Sequence, residues 1–236
     1  MTSTSPTAVA IITARGGSKR IPGKNKKSFC GKPILCYSVE AALAAGVFDE
    51  VMVSTDDNEI AALAVRAGAA VPFLRSAQTA NDYATTDEVI GEVLRMYQEN
   101  GRSFDRFCCL YPTAPFLTPQ RLREAMALLD AHESVMPVAA YSYPPQRSVV
   151  LRDGLLVRRF PEYQDARSQD LEKWYHDCGQ FYACRTDAFL RGNTTDVADL
   201  APVILSEAEV QDIDTMEDWA IAEEKFLRLR RGEVRS

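Results

Sequence analysis

Between Ala8 and Val39 the chain has no acidic residue, yet Arg15, Lys19, Arg20, Lys24, Lys26, Lys27 and Lys32 all fall within that stretch. The whole chain has 27 Lys and Arg against 33 Asp and Glu, a formal net charge of -6. Cations gathered in one segment of an acidic protein point to a local anion. Gly16, Gly17 and Gly23 let the same segment turn tightly and bring its N–H groups close to that anion. A polyphosphate is the expected guest. The order ARGGSKRIPGKN has neither the GxxxxGK[ST] spacing of a P-loop nor the GxGxxG spacing of a dinucleotide fold, so both of those sites are set aside.

The second chemical pattern is VQDIDTMEDW, where Asp212 and Asp214 stand two apart. At a strand end that spacing puts both carboxylates on one side, where a hard divalent cation, Mg²⁺ or Mn²⁺, can share them with phosphate oxygens and water. The bland alternative is that Asp214 merely precedes a helix cap while Asp212 is solvated. Glu217 and Asp218 read as first-turn acids that favour the helix dipole. Asp56 and Asp57 of VSTDD are secondary candidates for metal or nucleotide, with Asp56 and Glu59 at capping-box spacing.

These groups need a frame. The apolar run Ala8–Thr13, ending at Gly16-Gly17, reads as a buried parallel strand, and ILCYSVEAALAAG after Pro33 reads as a helix that Gly46 ends. The rhythm repeats. EVMVST (50–55) is a strand and 57–67 a helix; VPFL (71–74) is a short strand; Thr85 and Glu88 open a helix towards Gln98. RFCCLY (106–111) is a central strand, and Thr118-Pro119 starts a helix that ends near Ala131. After about Ser134, strand-like runs with few helix signals predominate, with a hairpin at Asp153-Gly154 and a polar exposed stretch over 161–173. APVIL (201–205), EVQDID and a last helix over about 216–230, capped by Thr215, restore the α/β order. The expectation is an α/β fold with a mainly parallel sheet and helices on both faces, placing the basic loop at the C-terminal ends of strands, where such sheets bind ligands.

Composition narrows the function. With 236 residues and 46% hydrophobic content, one catalytic domain over 1–236 is the simplest organisation. The acidic balance argues against nucleic acid and anionic membranes as partners. The N-terminus fits neither a signal peptide nor a membrane span, which predicts a cytoplasmic protein. Cysteines at 30, 36, 108, 109, 178 and 184 form no CxxC pair, and His132 and His176 are the only histidines. The thiols therefore read as reduced, buried small hydrophobes rather than zinc ligands.

The loop ARGGSKRIPGKN, with its preceding strand and the following GKPIL, resembles the signature of the sugar-activating cytidylyltransferases that make CMP-sialic acid and its relatives. The resemblance spans about Val9 to Glu223. It implies a Rossmann-like nucleotidyltransferase fold of the glycosyltransferase A-like kind, which transfers CMP from CTP to an acidic nine-carbon sugar and releases pyrophosphate. Arg15, Gly16, Gly17, Ser18, Lys19, Lys24, Asn25 and Arg75 would hold the nucleotide, with Lys19 and Arg15 countering charge at the phosphates. Asp214, with Asp212, would bind the metal in a matching IDT-type motif. PPQR (144–147), RSQDLE (167–172) and YHDCGQFY (175–182) resemble the branch that activates pseudaminic acid.

LYPTAPFL would form the floor of the sugar site, and Tyr111 stands where sialic acid-activating members usually have glutamine, which counts against sialic acid itself. Arg147 and Arg167 are candidates for the sugar carboxylate. Gln146, Gln169, Gln180, Tyr111 and Tyr182 are candidates for hydroxyl and amide groups. His176 could orient the substrate or assist deprotonation of the anomeric hydroxyl; His132 reads as exposed. The resemblance also implies that about 141–174 is a dimerisation arm and the protein a homodimer. Legionaminic, sialic and ketodeoxyoctonic acids remain alternative substrates, and a non-catalytic nucleotide-binding regulator remains the reading from another class.

Overall fold

The computed structural model describes residues 6–232, so the leader reading at residues 1–5 falls outside it, as do residues 233–236. Strand β1 (Ala8–Thr13) is buried along nearly its whole length, as its unbroken apolar run requires. After the basic loop, β2 (Ser28–Phe29) and β3 (Lys32–Pro33) form a small hairpin that feeds α1 (Leu35–Ala45), and Gly46 ends this helix at φ 67. β4 (Glu50–Ser54), α2 (Asn58–Arg66), α3 (Thr86–Glu99), β5 (Arg106–Leu110), α4 (Pro119–Leu128) and β6 (Ser134–Ala140) follow. The expected Thr85–Glu88 capping box opens α3, and the Thr118 hydroxyl caps α4 ahead of Pro119.

The antiparallel hairpin β7 (Val149–Arg152) and β8 (Leu155–Arg158) turns at Asp153-Gly154, both with positive φ, as a two-residue hairpin turn demands. The chain closes with β9 (Tyr175–Asp177), β10 (Phe181–Arg185), α5 (Thr186–Gly192), β11 (Leu200–Leu205) and α6 (Met216–Arg230).

The main sheet runs β11-β6-β10-β5-β1-β4, with β9 also paired to β6. β4, β1, β5, β6 and β11 all point one way, and β10 is inserted antiparallel between β5 and β6. Helices cover both faces. Ala8, Ala10 and Ile12 pack with Leu35, Val39, Ile60 and Leu122 from α1, α2 and α4, whereas Val9 and Ile11 pack with Ile90, Val93 and Tyr97 of α3 and Phe189 of α5. Alternate residues of one strand thus serve two cores.

Four local expectations are corrected. VPFL forms no strand: a single parallel bridge joins Ala70 to Met52, after which Pro72 has no N–H to continue a ladder. The N-cap of α2 is Asp57, which accepts from the N–H groups of Glu59 and Ile60, and Asp56 instead accepts the N–H of Gly16. EVQDID is not a strand, because the short turn Glu207–Glu209 takes the chain off the sheet after β11. Helix α5 went unrecognised, although Asp187 in its first turn and Asn193 at φ 51 just past its end are ordinary helix signals.

Two clamps hold the elements that matter for the site. In the first, the fully buried Phe29 makes edge-to-face contacts with Tyr37, Trp219 and Phe226 at 5.6, 5.5 and 5.5 Å, tying the end of the basic segment to α1 and α6. In the second, Arg121 of α4 grips the buried Glu209 in bidentate fashion at 2.9 and 3.0 Å, and the Ser206 N–H and hydroxyl add to the same carboxylate. Burial alone would raise the Glu209 pKa, but these donors outweigh it and hold the carboxyl below its ordinary value.

Phe29→Ala should lower stability by about 3–5 kcal/mol in urea denaturation. Glu209→Gln should cost about 2–3 kcal/mol at neutral pH, less than a fully buried pair because Arg121 is partly solvated. A depressed carboxyl stabilises the fold above its unfolded-state pKa of about 4.3 and loses that contribution as pH falls through the folded-state value. The wild-type and Gln curves should therefore converge on acidification; a constant gap would contradict this role.

Candidate active site

The basic loop lies beyond the C-terminal end of β1 and is fastened at several points. Ala14 N–H donates to Ser54 O at 2.9 Å, and the buried Asn25 donates its amide to Arg15 O at 2.9 Å. Gly16 approaches the start of α2 so closely that a Cβ there would lie 2.9 Å from Cβ of Asp57, which explains a glycine at that point. Gly23, at φ 65, turns the chain into Lys24–Lys26, and Lys26 pairs with Asp57 and Glu59 at 3.0 and 2.6 Å. Ser18 N–H returns to Gly16 O at 3.1 Å, and a Cβ at Gly17 would meet nothing within 4 Å, so that backbone stays open to a ligand.

Lys32 pairs with Glu40 and Lys27 lies over the Trp219 ring, and the other four cations form two groups, each gathered on one carboxylate. Arg15 and Lys19 both reach Asp82, Arg15 at 2.5 Å. Arg20 and Lys24 both reach Asp214, at 2.5 and 3.6 Å. Burial draws the Lys24 pKa below the ordinary lysine value despite the opposing pull of Asp214 and Asp212. Arg75 is buried beside this cluster; its guanidinium donates to the Ser54 hydroxyl and carbonyl at 3.0 and 2.8 Å, and among the described residues it forms no ion pair. A buried cation held only by neutral acceptors is a ready receptor for an anionic or carbonyl-rich ligand.

Beyond Asp214 a cavity of about 530 Å³ opens at the ends of β5 and β9, lined among others by Tyr111, His176, Asp177, Gln180, Asp212 and Lys225. That size suits a monosaccharide derivative. Larger cavities, of about 740 Å³ against α3 and α5 and about 700 Å³ between α1, α4 and α6, are lined by neither Asp212 nor Asp214. Tyr111 is fixed through its backbone, accepting from the Ser38 hydroxyl at 2.8 Å and donating to Gln180 O at 2.9 Å. Its ring meets Tyr182 edge-on at 5.7 Å, and the Tyr182 hydroxyl donates to Asp177 at 2.5 Å. Burial raises both phenol pKa values, so both remain hydrogen-bond donors at neutral pH. The His176 ring lies 5.0 Å from that of Tyr141, tilted by 59°, and its Nδ1 lies 2.9 Å from Asp177 O. A carbonyl only accepts, so Nδ1 carries a proton.

Not every expected residue joins this assembly. Gln146 is buried away from the cavity, and its amide donates to Glu172 O at 2.8 Å. Arg147 turns back to Ala166 O, Arg167 pairs with Asp170 at 2.8 Å, and Gln169 is exposed beside it; within one chain none of the three lines the cavity. Reasoning from sequence missed Asp82, Asp177 and Lys225. Asp82 stands singly in a polar loop and Lys225 within a helix whose other charges are solvated, so neither left a pattern to read.

Asp212 and Asp214 supply oxygen donors only, which suits Mg²⁺ or Mn²⁺. Among the described residues no group of three or more His, Cys, Asp or Glu is placed to hold a metal, so such an ion would complete its shell with phosphate oxygens and water. The thiols offer no competing chemistry: Cys36, Cys108, Cys109, Cys178 and Cys184 are buried, Cys30 is half-buried, all are free, and burial pushes Cys109 up to about 12. No helix among the described residues is long and apolar enough to cross a membrane.

Comparison with known proteins agrees with this geometry. The sequence profile of the family described as Cytidylyltransferase matches residues 9–209. The chain is 40% identical to the pseudaminic acid cytidylyltransferase of Campylobacter jejuni, over 91% of this chain and 94% of that protein. It is 35% identical to the CMP-N,N'-diacetyllegionaminic acid synthase of Legionella pneumophila, at the same two coverages. Among solved structures, CMP:2-keto-3-deoxy-manno-octonic acid synthetase complexed with CTP superposes with a TM-score of 0.68 at 20% identity, covering 95% of this chain and 99% of that one, a likeness of fold. A basic glycine loop facing paired aspartates on this α/β frame, together with a profile match over most of its length, makes this chain a member of the cytidylyltransferase family.

Proposed function

We propose that this enzyme transfers CMP from CTP to the anomeric hydroxyl of a nonulosonic acid, with pseudaminic acid as its substrate, and releases pyrophosphate. The observation that carries the reading is the placement of Asp212 and Asp214 between two differently built halves, the cation-rich loop on one side and the sugar-sized cavity on the other. Arg15 and Lys19, now shared by Asp82, are free to turn to the triphosphate. Arg75, the open backbone at Gly17 and the Ser18 hydroxyl complete the anion receptor, while Asn25 keeps the loop in shape.

When bound, Mg²⁺ or Mn²⁺ at Asp212 and Asp214 would supply neutralising charge for the transferring phosphoryl group. Lys19 and Arg15 counter the charge on the departing pyrophosphate, and in-line attack by the anomeric oxygen needs only that the cavity hold the sugar against the α-phosphate. His176 lines the cavity, placed to orient a sugar hydroxyl or, as the neutral ring, to deprotonate it, and the Tyr111 hydroxyl offers a donor to the sugar's substituents. The 40% identity to a pseudaminic acid enzyme along nearly both full chains supports that sugar. The legionaminic acid relative, at 35%, makes its substrate the second reading.

The chain works as one catalytic unit in the cytoplasm, where CTP is available, with 141–174 as an arm. Leu151, Leu155 and Leu156 on the β7–β8 hairpin are each about 70% exposed, an apolar surface that suits burial against a second copy. A homodimer would also give Arg147, Arg167 and Gln169 a site to reach in the neighbouring copy.

Pyrophosphate release with CTP and Mg²⁺ should be strongest with pseudaminic acid when legionaminic, N-acetylneuraminic and ketodeoxyoctonic acids are tested beside it. Preference for another acid would move the substrate and keep the chemistry, and silence with all four would favour a nucleotide-binding regulator. Asp214→Ala should cut turnover by roughly 100-fold or more, as expected when a residue acting on the transferring group is removed; full activity would refute the metal assignment. Asp82→Asn, which frees Arg15 and Lys19, should tighten CTP binding by about two- to five-fold in calorimetry, the scale of exposed ion pairs. Weaker binding would show that Asp82 assists the nucleotide.

A further inference from the structure

The sugar cavity is unevenly charged. Asp177, Glu207 and Asp212 all line it, and the single Lys or Arg in the lining is Lys225. A nonulosonic acid must nevertheless bring a carboxylate into this space. In such a sugar the carboxylate is bonded to the anomeric carbon itself, so it cannot lie more than a few bonds from the oxygen that attacks the α-phosphate. It must therefore be received at the Asp212 wall. The arginines expected for this task are elsewhere in the chain, Arg147 on Ala166 O and Arg167 on Asp170, outside the cavity lining. Arg20 and Lys24 are engaged by Asp214, and neither they, the other loop cations nor Arg75 lines the cavity.

Lys225 has the required position. It rises from the third turn of α6, and its Nζ donates to Val210 O at 2.5 Å, two residues before Asp212 on the segment that forms this wall. Its ammonium lies 5.9 Å from the centre of the Phe116 ring, another lining residue. One of its three N–H donors is thus committed to the protein, and the other two are available to a ligand carboxylate. The lysine is half-buried, where a charge-assisted hydrogen bond is stronger than on an open surface.

We propose that Lys225 binds the carboxylate of the sugar acid and so selects 2-keto acid sugars over neutral ones. The inference rests on the nonulosonic acid reading given above. Because the same Nζ holds the backbone at Val210, the carboxylate and the Asp212–Asp214 pair are positioned by one short segment, which sets the anomeric oxygen relative to the nucleotide.

The test is steady-state pyrophosphate release by wild type, Lys225→Met and Lys225→Arg, with the preferred sugar acid and with its methyl ester. Lys225→Met should raise KM for the acid by roughly 10- to 100-fold, the scale of a lost hydrogen bond to a charged group, with KM for CTP within about two-fold of wild type. Lys225→Arg should recover most of the loss. Wild type should favour the acid strongly over the ester, and the Met variant should lose most of that preference. Since this ratio is taken within one preparation, any loss of folded protein on breaking the Val210 contact cancels. An unchanged acid-to-ester preference, or an unchanged KM for the acid, overturns the assignment of Lys225 while leaving the cytidylyltransferase reading intact. A wild-type enzyme silent with every sugar acid overturns both.

Discussion

Like charges crowded into one loop repel, and the fold has to answer that repulsion before any substrate arrives. The segment from Arg15 to Lys32 supplies none of its own counter-charge. Apart from Glu40 of α1, which pairs with Lys32, the carboxylates come from three places far apart in sequence: Asp57 and Glu59 at the start of α2, Asp82 in the loop before α3, and Asp214 ahead of α6. Each is a surface or half-buried pair and individually of small energetic value. Together they fix where the loop can lie, and because two of the three sources border the prospective triphosphate and metal positions, the resting pairs occupy charge that a bound nucleotide would take over. Order of the loop and readiness for an anion thus have one cause.

Hydrophobic packing sets how accurately this compensation is delivered. The edge-to-face cluster at Phe29 joins the end of the loop to α6, and the Thr215 cap fixes where that helix begins, so Asp214 is placed by a rigid start rather than by a free tail. On the other side, Glu209 is anchored through its side chain by Arg121 and through its carbonyl by the Gln180 amide at 2.6 Å. The segment between Glu209 and Asp214 is irregular, yet both of its ends are pinned. That is how a stretch without secondary structure can carry the paired aspartates.

What could be read from sequence was what local rules encode. The buried run of β1, the Thr85–Glu88 box, Pro119 after its cap and the Asp153-Gly154 turn each declare themselves within a few residues, and the structure agrees with them. The glycine and lysine pattern of the loop was legible for the same reason. Failures occurred where a tertiary contact chose between local equals. Asp56 and Asp57 are adjacent and chemically identical, and only the approach of Gly16 decides which one caps α2. The sugar cavity was the least legible part. Its walls come from β5, β9, the 206–212 segment and α6, and no spacing in the sequence links Tyr111 to Lys225.

The insertion of β10 against the direction of its neighbours has a consequence for how such a protein can diverge. Strands β1 and β4 lead into the segments where the loop cations and their carboxylates gather, whereas the ends of β5, β6 and β9, the 207–212 segment and Lys225 line the cavity. The two regions meet at Tyr111 and at the 212–214 aspartates. Exchanging the contiguous stretch from about 141 to 181 would replace one wall of the cavity, Ser142 and His176 to Gln180, and leave the cation-rich loop untouched. A chain laid out in this way can acquire a new acceptor without relearning its donor.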